Sequence, residues 1–218
     1  MYVFACYADR FLSNRKGEFK VNHDVISYYD FLIEEGQDPV QDPPILQTYM
    51  DKWDGEYFIN LLELDDTKNV LEIGCGTGRL AVKIAPKVHS FCGIDISPKT
   101  LETAKIHLRD KNVKLICDDF LTHQFKEKFN LVYSSLTFMH MENKHQAIKM
   151  MAEILMKNGI VVLSLDKNQD DILNYGVKQL KIYPDDPDVI IGMLKEQGFY
   201  EIEKHEVEFA YLIKAKRM

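Results

Sequence analysis

The chain has no C-x-x-C pair, no long apolar run and no excess of basic charge. Its four cysteines, Cys6, Cys75, Cys92 and Cys117, lie far apart. That spacing argues against a zinc framework and for a reducing cytoplasm. No stretch reaches the roughly 18 apolar residues of a spanning helix, so no membrane span is expected. The first residues, Met1 to Asp9, lack the basic segment that opens a secretory leader. Net charge is −7, and it is unevenly placed: residues 1–68 hold 14 acids against 6 bases, the remainder 20 against 21. A polyanion partner wants a basic face whose contacts release counterions. None is present, so nucleic acid is disfavoured as a partner. With 218 residues, 46% of them hydrophobic, the chain has the size and apolar content of one α/β domain with additions.

The stretch around which the sequence is organised is Val70-Leu71-Glu72-Ile73-Gly74-Cys75-Gly76-Thr77-Gly78-Arg79-Leu80. Val70, Leu71 and Ile73 read as a buried strand. Gly74, Gly76 and Gly78 permit a sharp turn and close approach of backbone N–H groups to a ligand. A helix is then expected to open at Thr77 or Gly78 and run to Ile84, its free N–H groups favouring a polar or anionic ligand group. Two glycine-loop ligands are excluded by spacing. A dinucleotide fold wants G-x-G-x-x-G, which would place its third glycine at position 79, where Arg79 stands. A Walker loop ends in G-K-[ST], and no such run exists.

The pattern E-x-G-x-G-x-G resembles the first motif of the class I S-adenosylmethionine-dependent methyltransferases. The resemblance covers about residues 68–217. It implies that Glu72, Gly74, Cys75, Gly76 and Gly78 belong to a site for S-adenosylmethionine. It also implies a seven-stranded, mostly parallel, doubly wound sheet of order 3-2-1-4-5-7-6 with the last strand antiparallel. Right-handed strand–helix alternation agrees with such a sheet.

Asp95, in Gly93-Ile94-Asp95-Ile96-Ser97-Pro98, follows Gly74 by 21 residues. An acid at this distance can accept hydrogen bonds from ribose hydroxyls, and the resemblance gives it that role, with Ile96 against adenine. Ser97 and Pro98 read as N-cap and first residue of a helix over Lys99–Arg109. A strand Val113–Cys117 leads to Asp118-Asp119-Phe120. Here the resemblance implies that Asp118 takes the adenine amino group and Asp119 offers its backbone N–H. The bland alternative is that one of the two acids caps the turn. A fourth strand, Phe129–Ser134, brings Ser134 to the cofactor side and runs into the Thr137–Met141 loop, which would line the acceptor side.

That loop lacks the N-P-P-Y motif of enzymes acting on exocyclic or amide nitrogens, and the Pro-Cys nucleophile of cytosine C5 enzymes. His140 is the candidate general base, with a structural or surface histidine as the other reading. Residues 1–67 form an acidic helical arm ahead of the domain at 68–218. Asn14–Gly17 reads as a turn, and Asn22 or Asp24 as the cap of a first helix. A second helical stretch, Ile45–Leu64, is expected to break near Asp54-Gly55. By the resemblance, its Tyr49 and Trp53 are candidates for a lid over the site. Read as residues alone, they are core positions of an amphipathic helix.

Further along, a helix opening at Asn143 is expected to end at Lys157-Asn158-Gly159, with Gly159 as its terminating glycine. Strand five is Ile160–Leu165, residues 166–184 are irregular, a helix spans Asp188–Gln197, and the last two strands follow Gly198. The expected activity is methyl transfer from S-adenosylmethionine to a nitrogen or oxygen of a small molecule. The competing readings are a non-catalytic binder of the same cofactor, a methyltransferase acting on protein or nucleic acid, and an aminopropyltransferase using the decarboxylated donor. The acid-rich polyamine motif of the last group is not evident.

Overall fold

The computed structural model describes residues 23–109, 112–175 and 178–218. The turn expected at Asn14–Gly17 and the cap at Asn22 lie outside them. In chain order, the arm supplies α1 (His23–Glu34), α2 (Pro44–Asp54) and α3 (Glu56–Leu61), with Gly55 as the break between the last two. A Cβ on Gly55 would stand 2.6 Å from the Asp51 carbonyl oxygen, so only glycine lets the two helices meet at this angle. The sheet then starts with β1 (Asn69–Ile73), followed by a single turn α4 (Ala81–Ile84) and β2 (Ser90–Asp95). Next come α5 (Pro98–His107), β3 (Val113–Cys117), β4 (Phe129–Ser135), α6 (Lys144–Ile154) and β5 (Leu155–Asp166). A hairpin of β6 (Ile172–Tyr175) and β7 (Lys178–Lys181), α7 (Pro187–Glu196), β8 (Phe199–Glu206) and β9 (Ala210–Arg217) complete the chain.

The sheet order is β3-β2-β1-β4-β5-β9-β8. Counted without the inserted hairpin, it is the expected 3-2-1-4-5-7-6. β1 to β5 pair in parallel, while β9 runs antiparallel to both β5 and β8. Val70, Leu71 and Ile73 of β1 are all buried, as a central strand covered on both faces requires. One layer packs Leu71, Val132, Ile148 and Ile190 beneath α6 and α7. The other packs Val70, Phe91 and Tyr133 against Phe58, Leu62, Ala81 and Leu101. Phe58 and Leu62 of the arm are therefore part of the core. Side chains stop the helices at their N-termini: Ser97 accepts from the Thr100 N–H, Asn143 from Gln146, and Asp186 from Asp188 and Val189.

Three local expectations are corrected. The helix after the glycine loop begins only at Ala81 and passes into a 3₁₀ turn at Ala85–Lys87, because Pro86 has no N–H to continue an α-helix. Gly159 does not terminate α6. That helix ends at Ile154, Asn158 carries the positive φ of 62°, and Gly159 is needed because a Cβ there would lie 2.8 Å from the Met156 carbonyl oxygen. Residues 166–184 are not irregular throughout. Leu173 faces Leu180 across the β6–β7 hairpin, and Leu180 and Ile182 pack with Val25, Tyr28 and Met139. The polar alternation of Ile172–Lys181 conceals a short two-stranded wall against α1.

Candidate functional site

The carboxyl ends of β1, β2, β3 and β4 open into a cleft of about 920 Å³. This is where ligands settle in open α/β sheets. Its floor is the glycine loop. Gly74 has φ +75°, and a Cβ on it would fall 2.1 Å from Thr137 Oγ1. Only glycine allows the loops after β1 and β4 to touch. Gly76 has φ +54° and open space where its Cβ would project. Its N–H donates to Asp95 Oδ2 at 2.8 Å, while the Ser97 N–H donates to Asp95 Oδ1 at 2.9 Å. Asp95 thus ties the glycine loop to the start of α5. Each of its oxygens retains acceptor capacity. Burial raises its pKa, and these N–H bonds oppose the rise.

Glu72, at the end of β1, is buried, and its Oε2 has no hydrogen-bond partner. Burial pushes its pKa up to about 8; the Tyr133 hydroxyl and then Arg79 oppose the shift, and the nearby Asp54 and Asp95 carboxylates reinforce it. Asp118 follows β3. Its Oδ1 accepts from the Asp119 N–H at 2.7 Å and its Oδ2 faces His123 Nδ1 at 2.9 Å. Asp119 Oδ1 in turn accepts from the Leu121 N–H. Cys75, Ile96, Asp118, Asp119 and Phe120 all line the cleft, as do Thr137 and His140.

Four expected site residues stand elsewhere. Gly78 lies against Leu108. Ser134 is buried and donates to the Ile73 carbonyl, leaving its neighbour Ser135 at the cleft. Tyr49 and Trp53 stack with Phe209, with ring centroids 5.7 and 4.7 Å from it. The α2 residue that reaches the cleft is Met50. The wall over the cleft comes instead from α1, through Val25, Tyr29, Leu32 and Ile33.

Two groupings escaped the sequence reading. Asp54, fully buried at the end of α2, receives Arg79 and the Ser135 hydroxyl on Oδ2, while its Oδ1 has no partner. An acid among the core-facing positions of an amphipathic helix, and an arginine directly after the glycine motif, were the available signals. The second grouping is Tyr29 with His140. The Tyr29 hydroxyl lies 2.7 Å from His140 Nε2, and His140 Nδ1 is buried without a partner. Burial, with Lys144 adding to it, lowers the His140 pKa to about 4, so the imidazole is neutral. Lys144 pins the turn that carries His140. It donates to the carbonyls of Phe138 and Tyr183, at 3.1 and 2.9 Å, and to Asp185 at 2.5 Å. α1 docks through Asp30, which accepts from Ser97 Oγ at 2.7 Å, and Asp38 meets His107 at 2.7 Å in the loop that follows.

The sheet order, the positive-φ glycine loop and the acids at strand ends define a class I methyltransferase fold of the S-adenosylmethionine-dependent type. Residues 70–159 match the family described as methyltransferase domain. Over 98 residues the chain is 31% identical to malonyl-[acyl-carrier protein] O-methyltransferase of Bacillus anthracis, a match covering 44% of this chain and 36% of that protein. It is 32% identical over 111 residues to ubiquinone biosynthesis O-methyltransferase of Dechloromonas aromatica, covering 49% and 48%. The matched stretch thus spans less than half of each of these two relatives. Magnesium protoporphyrin IX methyltransferase from Synechocystis PCC 6803, solved with bound S-adenosylmethionine, superposes with a TM-score of 0.69 at 16% identity, covering 94% of this chain and all of that one. Among the described residues no helix is long and apolar enough to cross a membrane.

The residues present fit S-adenosylmethionine. A buried, unpartnered carboxylate oxygen at Glu72 suits an ammonium group, and the open side of Gly76 leaves room beside the loop backbone. Bound there, the cofactor would supply a methyl group already activated by its sulfonium charge.

Proposed function

We propose that the protein transfers a methyl group from S-adenosylmethionine to a nitrogen or oxygen of a small-molecule acceptor, by in-line displacement. The observation that carries the reading is Glu72: a buried carboxylate with an idle oxygen, beside a glycine loop tied to Asp95. In this reading Glu72 and Arg79 hold the amino-acid end of the donor. Asp95 accepts from its ribose hydroxyls, Ile96 and Phe120 flank the adenine, and Asp118 takes the amino group. The Asp119 N–H, which Asp118 now occupies, turns to the ring nitrogen on binding. The chain's part in the chemistry is to align acceptor and methyl and to exclude water.

The acceptor side supports a neutral or amine acceptor. It is formed by Tyr29, Leu32, Ile33, Leu136 and Met141. The only arginine or lysine among the described lining residues is Arg79, which is paired with Asp54 and in this reading serves the donor's amino-acid end. A carboxylate acceptor would find no idle cation there.

Calorimetric titration with S-adenosylmethionine and S-adenosylhomocysteine tests the reading. Micromolar binding is expected, about −8 kcal/mol, followed by transfer of labelled methyl to members of an amine and phenol panel. No heat with either ligand would overturn it. Asp95→Asn should weaken S-adenosylhomocysteine binding by at least about tenfold, since hydrogen bonds to a charged group contribute about 1.5–3 kcal/mol each. An unchanged dissociation constant would remove Asp95 from the ribose site.

A further inference from the structure

We infer that Tyr29, reaching over the cleft from α1, is the group that meets the acceptor, and that His140 acts behind it as the proton receiver. This rests on the methyl-transfer reading above. The sequence offers His140 as a candidate base beside a structural reading, and both of its nitrogens are covered: Nε2 by the Tyr29 hydroxyl at 2.7 Å, and Nδ1 by burial. Tyr29 and His140 both line the cleft, and the Tyr29 oxygen stands between Nε2 and an acceptor in this proposal. The two rings stand edge to face, centroids 5.4 Å apart and planes at 85°, with the phenol oxygen at hydrogen-bond distance from Nε2. A phenol is a stronger acid than a neutral imidazole N–H, so the hydroxyl donates and Nε2 accepts. Burial holds Tyr29 as the neutral phenol, with Asp95 and Tyr28 adding to the effect, and burial with Lys144 holds His140 as the neutral imidazole. The pair is therefore set in its resting protonation state at neutral pH.

The step balances. The acceptor's nitrogen or oxygen forms its bond to the methyl carbon as the carbon–sulfur bond of the sulfonium donor breaks, the electron pair staying on sulfur. The acceptor's proton moves to the Tyr29 oxygen, and the Tyr29 proton moves to His140 Nε2. One positive charge leaves the sulfonium and one appears on the imidazolium, so the net charge of the closed site does not change. That exchange offsets the burial and the Lys144 ammonium that otherwise disfavour a charged His140. Tyr29 is thus the catalytic residue and His140 the positioning and proton-receiving one.

Two measurements test this. In the ligand-free full chain, nitrogen-15 NMR of labelled histidine should show His140 with its proton on Nδ1 and a bare, accepting Nε2. A proton on Nε2 would reverse the hydrogen bond and overturn the relay without any acceptor being needed. With methyl-labelled S-adenosylmethionine and the best acceptor from a panel of phenols and alkylamines, Tyr29→Phe should lower kcat about 100-fold. The acceptor KM and the S-adenosylhomocysteine dissociation constant should each stay within about twofold. His140→Gln, which keeps an acceptor for the Tyr29 hydroxyl but no base, should lose as much. The double variant should be no slower than Tyr29→Phe alone. Wild-type turnover with an unaffected Tyr29→Phe would overturn the relay and leave the methyl-transfer reading standing. No turnover by the wild type with any panel member would overturn both.

Discussion

Glu72→Gln should make the ligand-free protein more stable at pH 8 than the wild type and nearly equal to it at pH 5. The ordinary glutamate pKa is 4.5, and burial raises that of Glu72 to about 8. Between those values the folded chain keeps the proton and the unfolded chain has released it. Unfolding then releases a proton, and the contribution of this group to stability falls as pH climbs through the window. Above about pH 8 both states are ionised and the loss is complete. Below 4.5 both are protonated and nothing is lost. A tenfold change in proton affinity is about 1.4 kcal/mol, so the gap sets a ceiling of about 5 kcal/mol on the effect at high pH. Urea unfolding of both proteins from pH 5 to pH 9 checks it. Parallel curves would mean that Glu72 has an ordinary affinity for protons. In the proposed binding mode the same carboxylate gains a cationic neighbour from the ligand's ammonium, so S-adenosylhomocysteine binding at pH 7 should release protons in the wild type and not in the variant.

Asp54→Ala should destabilise the fold by about 3–5 kcal/mol, the cost of leaving a buried ionic partner without its mate. Asp54 is fully buried and receives both Arg79 and Ser135. Removing it strands the Arg79 guanidinium against the acids Glu72 and Asp51 with its direct partner gone. The loss should appear as a lower urea midpoint and as weaker donor binding, because Arg79 opens the floor of the cleft. Asp54→Asn keeps the volume and one acceptor and should lose about half as much. Equal stability of wild type and Asp54→Ala would show that Arg79 finds water or another acid at no cost.

The fold was legible where local chemistry and packing demand the same thing. The apolar run Val70–Ile73, the glycines that follow and the cap Ser97-Pro98 each have one low-energy use, and all three are used that way. The site was legible at strand ends, where Asp95 and Asp118 reach the cleft with the glycine loop. It was not legible where a residue's neighbour comes from a distant part of the chain. Trp53 and Tyr49 have the helical spacing of a lid but meet Phe209, more than 150 residues on. Tyr29 shows no sign in the sequence of its partner 111 residues away. Ser134 and Ser135 differ only in which side of β4 they take, which the pleat decides. The hairpin at Ile172–Lys181 was hidden because its packing partners, Val25 and Tyr28, lie in the arm.

The attachment of α1 has a consequence for how the molecule opens. Only Val25 and Tyr28 of that helix are buried, in a small satellite cluster separate from the two main layers. Tyr29 and Leu32 pack against the same cluster from its partly buried edge, and polar ties join Asp30 to Ser97, Glu34 to Lys99 and Tyr29 to His140. Such a segment detaches at a free energy well below that of global unfolding. Its amides should exchange with deuterium sooner than those of β1 and β4, and S-adenosylhomocysteine, by occupying the cleft beneath it, should slow that exchange. In the proposed reaction the helix that carries Tyr29 is both a wall of the cleft and the part expected to lift first, which would tie the rate of product escape to the stability of a twelve-residue element rather than to that of the sheet.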